Sequence, residues 1–560
     1  MKYIPIFAVL SATLLLLPSI SVSQNLVLTN ADIYTVNENR DWAEAVAIDE
    51  DGIILAVGTK ADALQAAGAD AEVIDLGGRM VLPGFQDIHL HAVEAGVNSV
   101  LCGFDAFDDL NGLRDTLQDC AANGDTGEWV LGANVNMVNL LELHDNPVEV
   151  LDAVVPDRPV LILDDIGHGA WANTMALAMV GYDTAPDAPN GNIILRNGAG
   201  TPNGVVLENA PHNLRTAAFP PTKGNLDFVY DSLLSAAKTL NENGYTSVSD
   251  AGGYWPQGHH KVWDWAEEED ALTIRASNAF YIYPDQPLGE QLTVLKTLYH
   301  NNPDRLVRFN VAKIYVDGIL SQATGAMLAP YEAGLGLPDG DEYGYLYFPK
   351  DALYEAAREL SAAGFQLHFH VTGDYGARLA LDAIEQADTA SGPHRITHLY
   401  FVDPADYPRF AQLNVIADVQ LAPSALGADY QEFISGIVGD RVQRLLPAGD
   451  LIKAGATLTL SSDWDADELH PMIKIAAAVG RPRNGLPDVK TAIEALTINP
   501  AIALRHAYKT GSIEVGKVAD LVVLSDNILN LGLGEIAKVT IDATILQGDA
   551  VYDPANLFAE

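Results

Sequence analysis

Several side chains that can bind a metal stand at the ends of short apolar segments. His89 and His91 are two positions apart in Asp87-Ile88-His89-Leu90-His91. If this segment is a strand, both imidazoles point to the same face, because side chains alternate along a strand. Neutral imidazoles and carboxylates bind zinc, and three or four of them with an open coordination position make a catalytic site. Four further polar groups each stand on or directly after a similar run: Lys313, His370, His398 and Asp463.

No single one of these residues establishes a metal site, because a lone strand histidine more often fills a core or surface role. The hypothesis depends on five strand ends that all carry such groups in a chain of 14 histidines. Two alternatives remain open at this point. Lys313 could form an ion pair with Asp317 on the same strand face, and His368 could compete with His370 as a ligand.

The elements that must position these groups are eight strand-like runs, most of them followed by a helical pattern. This alternation predicts an α/β fold, a (β/α)8 TIM barrel, in which the polar residues lie towards the C-terminal strand ends where barrel enzymes hold their sites. An open doubly wound sheet is the competing fold, but no glycine-rich phosphate turn follows an early strand. The eight predicted strands are Phe85–His91, Tyr245–Asp250, Ile274–Tyr281, Phe309–Asp317, Phe365–Val371, Arg395–Phe401, Val415–Gln420 and Thr457–Asp463.

Two further regions lie outside the regular alternation. The stretch from about 92 to 244 is too long for one crossover and carries its own strand signals, so we predict a large insert after the first strand. Both chain ends contain strands, which predicts a small β-sandwich domain built from residues 24–81 and 501–560. The barrel domain is then predicted to cover residues 82–500.

The first residues resemble a secretory leader. A positive start is followed by the apolar run Ile4–Leu17 and by the small residues Ser21-Val22-Ser23. This pattern predicts a signal peptide at residues 1–23 that is cleaved on export, to the periplasm or the medium. A retained membrane anchor is the alternative. In an oxidising compartment Cys102 and Cys120 could form a disulfide, with two buried thiols as the other interpretation.

The composition restricts the function classes. The 560 residues include 32 Lys+Arg and 75 Asp+Glu, a net charge of −43, and 48% are hydrophobic. Such an apolar fraction excludes a disordered chain, and the negative charge argues against binding nucleic acid or an anionic membrane. Solubility in a salty exterior or a preference for cationic substrates would explain the charge. We expect a small-molecule substrate, no nucleic acid and no membrane after leader cleavage, with a homodimer as a possible assembly.

The order of these motifs resembles the amidohydrolase superfamily of metal-dependent hydrolases. Leu82-Pro83-Gly84-Phe85-Gln86-Asp87-Ile88-His89-Leu90-His91 is similar to its first-strand signature, and Ala519-Asp520-Leu521-Val522-Val523-Leu524 to its C-terminal one. The long insert and His370-Val371-Thr372-Gly373-Asp374 resemble amidohydrolase family 3, which includes enzymes similar to N-substituted formamide deformylase. Thr372 and Thr397 depart from the usual residues of that branch, but neither is at a ligand position.

The resemblance implies a set of roles. One or two divalent ions, with zinc expected, would be bound by His89, His91, Lys313, His370, His398 and Asp463. Lys313 would be N-carboxylated and bridge two metals. Asp463, with His398, would be catalytic, and the substrate would touch His168, Asp317 and Trp464.

We therefore expect a hydrolase that cleaves a non-peptide C–N bond, in an amide, formamide or N-acyl amine, with a metal-activated water. A deaminase, a cyclic amidase or a lactonase would use the same residues. The alternative outside the enzymes is an exported binding protein that kept the barrel but lost catalytic turnover. The absence of a Gly-x-Ser-x-Gly segment argues against a Ser-His-Asp hydrolase.

Overall fold

The computed structural model describes residues 24–123, 128–184, 191–332 and 342–558. The predicted signal peptide at 1–23 lies outside these ranges. Within them, no helix combines the length and the apolar character that a membrane crossing requires.

Eight parallel strands follow one another around the central sheet in sequence order. All eight predicted strands are present, with ends that differ by up to three residues, so the barrel prediction is confirmed. Their apolar side chains and those of the surrounding helices form the largest hydrophobic core. The first to eighth barrel strands are Phe85–Leu90, Tyr245–Asp250, Arg275–Tyr281, Val307–Tyr315, Gln366–Val371, Arg395–His398, Ile416–Val419 and Thr457–Leu460.

The segment that follows the eighth barrel strand meets the C-terminal half of the first barrel strand. The Asp463 amide donates to the His89 carbonyl at 2.9 Å, and the His91 amide donates to the Trp464 carbonyl at 2.7 Å. The Asp87 carboxylate spans the same seam, because it accepts from the Ser462 amide at 2.7 Å and the His89 amide at 2.9 Å. The barrel is thus nearly closed, and it closes at the edge that carries the predicted ligands.

Helices connect the barrel strands and cover their outer face, as in a (β/α)8 arrangement. They are Ala92–Asn98, Lys223–Glu242, His259–Glu268, Leu288–Leu298, Lys350–Ala362, Asp374–Ile384, Tyr407–Gln412, Pro423–Leu426, Ala428–Val438, Ala448–Lys453, Pro471–Gly480, Val489–Leu496 and Ile498–Ala503. Short 3₁₀ turns occupy Trp255–Gln257, Thr389–Ser391 and Gly439–Arg444.

A second sheet of six strands lies between the first and second barrel strands in sequence. It has its own hydrophobic clusters and carries a disulfide between Cys102 and Cys120, which settles the two alternatives for these cysteines. The limits of the insert as a subdomain remain a prediction. Its strands are Cys102–Gly103, Val130–Val135, Val160–Asp164, Gly169–Ala172, Asn192–Arg196 and Pro202–Glu208, and its helices are Leu110–Asn123, Met137–Leu143, Val148–Val154, Thr174–Met179 and Ala210–Ala218.

Both chain ends contribute to a third sheet, in which Met80–Pro83 pairs antiparallel with Leu521–Leu524. The strands of the two chain ends belong to one eight-stranded sheet. The β-sandwich arrangement and the domain limits at 24–81, 82–500 and 501–560 stay predictions. The remaining strands are Leu26–Tyr34, Trp42–Ile48, Ile54–Gly58, Glu72–Asp75, Ile541–Leu546 and Asp549–Tyr552, with helices at Lys60–Ala67 and Leu533–Ile536 and a 3₁₀ turn at Ile528–Asn530.

Candidate metal centre

Strand register aligns the candidate side chains of neighbouring strands. Lys313 on the fourth barrel strand pairs with His368 on the fifth, and Tyr315 pairs with His370. His398 ends the sixth strand opposite Val371. Because these residues stand at the same level of a parallel sheet, their side chains gather at its C-terminal edge.

Three of the predicted ligands converge on one point. Asp463 Oδ1 lies 3.0 Å from His89 Nε2 and 3.5 Å from His91 Nε2. One potential ligand atom from each residue lies within 4.8 Å of the other two, which makes them a group that could hold a metal ion. The HxH pair and the carboxylate therefore form the centre of the site.

The two histidines are oriented by contacts on their opposite ring nitrogens. His89 Nδ1 lies 2.8 Å from His368 Nε2, and Arg395 lies 3.1 Å from His368 Nδ1. His91 Nδ1 contacts Glu94 Oε2 at 2.6 Å. Each Nε2 is consequently left to face Asp463. Because both nitrogens of His368 are engaged, the structure favours a supporting role for it over the ligand role left open above.

Lys313 lies directly beside His89. Its side chain is fully buried, and Nζ is 3.1 Å from His89 Nδ1 and 3.3 Å from His89 Nε2. Burial lowers the pKa of the Lys313 amine to about 7, so a neutral amine is accessible near neutral pH. In the described part of the chain the Asp317 carboxylate accepts from backbone amides and Lys313 Nζ contacts His89, so the alternative of a Lys313–Asp317 ion pair finds no support.

His370 and His398 form the other side of the site, with ring centres 4.4 Å apart. His398 Nδ1 lies 3.0 Å from Gln420 Oε1 and 3.8 Å from Asp463 Oδ2. His370 Nδ1 is buried and has no partner among the described residues, although Nε2 lies 3.2 Å from the Gly318 carbonyl. Burial lowers the pKa of His398 to about 3 and that of His370 well below its ordinary value, so both rings are neutral at physiological pH.

Asp463 is the most accessible of the three central groups. Its side chain is 20% exposed, against 1% for His89. Burial alone would raise its pKa, but the attraction of His89, His398 and His91 holds the pKa of this carboxyl well below its ordinary value. Asp463 is therefore ionised and lies at the open side of the site.

This donor set fits a divalent cation. Two imidazole nitrogens and a carboxylate converge, a third imidazole nitrogen of the pocket lacks a partner, and burial keeps the imidazoles in the neutral form that binds metals. An ammonium at Lys313 would repel such an ion, whereas its neutral amine would not. The identity of the ion is not determined by these ligands alone, because several divalent metals accept nitrogen and oxygen donors.

The insert contributes one further imidazole to the site, that of His168. The ring of His168 lies 4.9 Å from that of His370, and His168 Nδ1 contacts Glu208 Oε2 at 2.7 Å. Glu208 also accepts from the hydroxyls of Tyr347, at 2.7 Å, and Thr324. These contacts hold His168, a predicted substrate contact, beside the predicted ligand His370.

The other two predicted substrate contacts differ in position. Trp464 follows Asp463 at the barrel seam and is partly exposed. Asp317 is fully buried, and its carboxylate accepts from the backbone amides of Ala326, Thr372 and Gly373 at 2.8 to 2.9 Å. Both of its oxygens are thereby occupied in holding loops, which leaves it little capacity to bind a substrate.

Sequence reasoning missed three groups that border the site. Glu94 could have been found, because it lies three residues after His91 at the start of a helix. Arg215 and His212 lie on the insert helix Ala210–Ala218 and gave no signal of their own. Arg215 pairs with Glu94, and the ring of His212 packs against Tyr281 at 4.5 Å.

Sequence comparison identifies related proteins over nearly the full length. N-substituted formamide deformylase of Arthrobacter pascens is 28% identical over 550 residues, covering 95% of this chain and 98% of that protein. Protein LONG AFTER FAR-RED 3 of Arabidopsis thaliana is 27% identical over 561 residues, covering 96% of this chain and 93% of that protein.

Among solved structures, an uncharacterized metal-dependent hydrolase from Pyrococcus furiosus has a similar fold, with a TM-score of 0.70 at 23% identity. The match covers 90% of this chain and 99% of that one. A profile of the amidohydrolase family matches residues 72–552, and the resemblance noted in the sequence is thereby confirmed. Since that match spans the barrel, the insert and most of the C-terminal chain end, this chain belongs to the amidohydrolase family.

Proposed function

We propose that this amidohydrolase cleaves a non-peptide C–N bond, in an amide, a formamide or an N-acyl amine. The observation that carries the proposal is the position of Asp463, an ionised carboxylate beside His89 and His91 at the open side of the site. The N-substituted formamide deformylase relative supports this bond type. A carboxylate next to two metal-compatible imidazoles suits the hydrolysis of a carbonyl compound by water.

A divalent ion bound by His89, His91 and Asp463 would make a water more acidic and polarise the substrate carbonyl. The chain supplies the proton transfers. Asp463 accepts the proton from the attacking water and later delivers it to the departing nitrogen. His398 borders the carboxylate, with Nδ1 3.8 Å from Asp463 Oδ2, and that nitrogen is itself held by Gln420 Oε1 at 3.0 Å.

Zinc is the proposed ion, in one or two copies, and Lys313 is proposed to be N-carboxylated. The amine is buried between His89 and the Tyr315 ring, with Nζ 5.0 Å from the ring centre. In that position a carbamate would present two oxygens to metal ions, whereas an ammonium would repel them. His370 and His398 would then complete the ligands on the second side of the lysine.

Substrate contacts are proposed for the insert side. His168, held by Glu208, lies near His370 and can donate a hydrogen bond to the substrate carbonyl oxygen. Trp464 can restrict the access of water from the barrel side. Asp317 is not proposed for this role, since its oxygens are occupied by backbone amides.

The proposal is tested by measuring metal content and activity on the same preparation. Protein purified without chelator should contain zinc or a similar ion, and a screen of N-formyl and N-acyl amines should find a hydrolysed compound. Removal of the ion by a chelator should abolish that activity, and its addition should restore it. Full activity in metal-free protein would refute the mechanism.

Export is proposed as well, with residues 1–23 acting as the leader. The Cys102–Cys120 disulfide supports an oxidising compartment, because such bonds rarely persist in the cytosol. Expression with and without residues 1–23, followed by fractionation and mass determination, tests this. The full chain should appear outside the cytoplasm in a form that lacks the leader, and an uncleaved cytoplasmic product would contradict the proposal.

A further inference from the structure

A buried ion pair stands directly behind the predicted ligand His91. Glu94 Oε2 contacts His91 Nδ1 at 2.6 Å, and the other oxygen of Glu94 binds the Arg215 guanidinium. The side chains of Glu94 and Arg215 are only 9% and 8% exposed. A charged pair this deep in a protein requires good geometry to offset its desolvation, so each group depends on the other.

The three residues come from different parts of the fold. Glu94 lies in the first turn of the helix Ala92–Asn98, which starts directly after His91, whereas Arg215 lies on the insert helix Ala210–Ala218. The turn after the second barrel strand closes over them. A Cβ atom at Gly252 would lie 2.6 Å from Glu94 Oε2 and 3.1 Å from His91 Nδ1, so the close approach of this turn requires glycine.

Glu94 is the hydrogen-bond partner of His91 Nδ1 in the described part of the structure. Asp250, the other nearby carboxylate, is occupied by the Gly252 amide at 3.0 Å and the Trp263 indole at 3.0 Å. The contact between Glu94 Oε2 and His91 Nδ1, at 2.6 Å, is also shorter than the 3.5 Å between His91 Nε2 and Asp463 Oδ1. Glu94 is therefore the group that directs the Nδ1 proton of His91 and turns Nε2 towards Asp463.

We propose that Glu94 is a positioning residue for the metal ligand His91 and that Arg215 anchors it, so that the insert controls how tightly the barrel holds its metal. The inference rests on the proposed metal-dependent function. A neutral imidazole has one N–H, and donating it from Nδ1 to Glu94 leaves Nε2 unprotonated towards the metal. Arg215 pairs with the other carboxylate oxygen and fixes Glu94 in that orientation.

The test is the zinc dissociation constant, measured by competition with a chromogenic chelator, together with thermal stability and kcat at saturating zinc. Loss of a carboxylate that orients a metal ligand typically weakens binding about 10–100-fold, and we expect that range for Glu94→Gln. Arg215→Ala should weaken zinc binding less, because the His91–Glu94 contact remains. At saturating zinc, both variants should recover most of their kcat.

Asp520→Asn is the matched control, because Asp520 forms a buried ion pair at 3.2 Å with Arg275. This pair joins the start of the third barrel strand to the residue before the strand Leu521–Leu524. It should lower thermal stability and leave zinc affinity unchanged. If Glu94→Gln does not fold, Glu94→Asp keeps the charge but is too short to reach His91, and it should also weaken zinc binding.

Two outcomes separate this inference from the function on which it rests. A Glu94 variant that folds and binds zinc as tightly as the wild type would overturn the positioning role alone. A wild-type protein that binds no divalent ion would overturn the proposed function and this inference together.

Discussion

The two halves of the site are built in different ways. The barrel half consists of side chains at the ends of neighbouring strands, where register alone places Lys313 beside His368 and Tyr315 beside His370. The insert half consists of His168 and Arg215, which come from a separate sheet and helix. Side-chain contacts hold them at the site. His168 contacts Glu208, which accepts from Tyr347 and Thr324, and Arg215 pairs with Glu94.

This difference in construction predicts different roles for the barrel half and the insert half. A ligand set fixed by backbone pairing changes little when loops change, which suits the metal chemistry. Groups carried by an insert can vary independently of the barrel, which suits substrate choice. The barrel half should then govern turnover and supply the metal ligands. The insert half should govern substrate affinity through His168 and the positioning of His91 through Arg215 and Glu94. The following variants test this contrast, in order of decreasing effect on turnover.

Asp463→Asn should have the largest effect, because the amide keeps the shape and a ligand oxygen but loses the basic site. A positioned acid–base group contributes about 10²–10⁴-fold, and we expect a loss of kcat in that range. Metal content and KM should change far less. Steady-state kinetics and metal analysis on one preparation test this. Normal turnover would leave Asp463 as a ligand only, and another group would have to move the proton.

Lys313→Ala should remove metal and lower the rate at least about tenfold, since losing a ligand costs no less than losing a group that orients one. Bicarbonate with a short-chain acid should partly restore activity if a carbamate is required. Elemental analysis and rescue kinetics are the measurements. A variant with full metal content and full rate would assign the buried lysine a purely structural role.

His168→Gln should lower kcat/KM by about tenfold or less, the value of roughly one hydrogen bond, and should leave metal content unchanged. His144→Gln is the matched control, because His144 also belongs to the insert region and its Nδ1 accepts from the Asn146 amide at 3.0 Å. It should have no effect on kinetics. Loss of metal in the His168 variant would show that the two halves do not divide their roles as proposed.

Replacing both Cys102 and Cys120 by serine should have the smallest effect on turnover, with kcat and KM close to those of the wild type. A disulfide that closes a loop of 18 residues is worth about 3 kcal/mol, so the melting temperature should fall. Calorimetry measures the change in melting temperature, and steady-state kinetics measure the change in kcat and KM. A large loss of kcat would show that order in the insert sheet is transmitted to the barrel half.

The barrel was predictable because strand periodicity and polar strand ends are local signals. Each of the eight predicted strands was found, but their ends were placed too late where the chain departs from extended geometry. His398 and Asp463 have φ values of 72° and 55°, a left-handed backbone that is uncommon outside glycine and often marks functional sites. The backbone turns at His398, the last residue of the sixth strand, and at Asp463, shortly after the eighth strand. No sequence pattern predicts these turns.

The ligand types and their order along the chain could be read from local strand patterns, which contain His89, His91, Lys313, His370, His398 and Asp463. Which of these residues converge, and which groups support them, followed from the three-dimensional packing. Arg215 meets Glu94, and Asp317 turns to three backbone amides, through contacts between segments far apart in sequence. Such contacts depend on how the insert packs against the barrel, and one sequence carries no periodic signal for that packing.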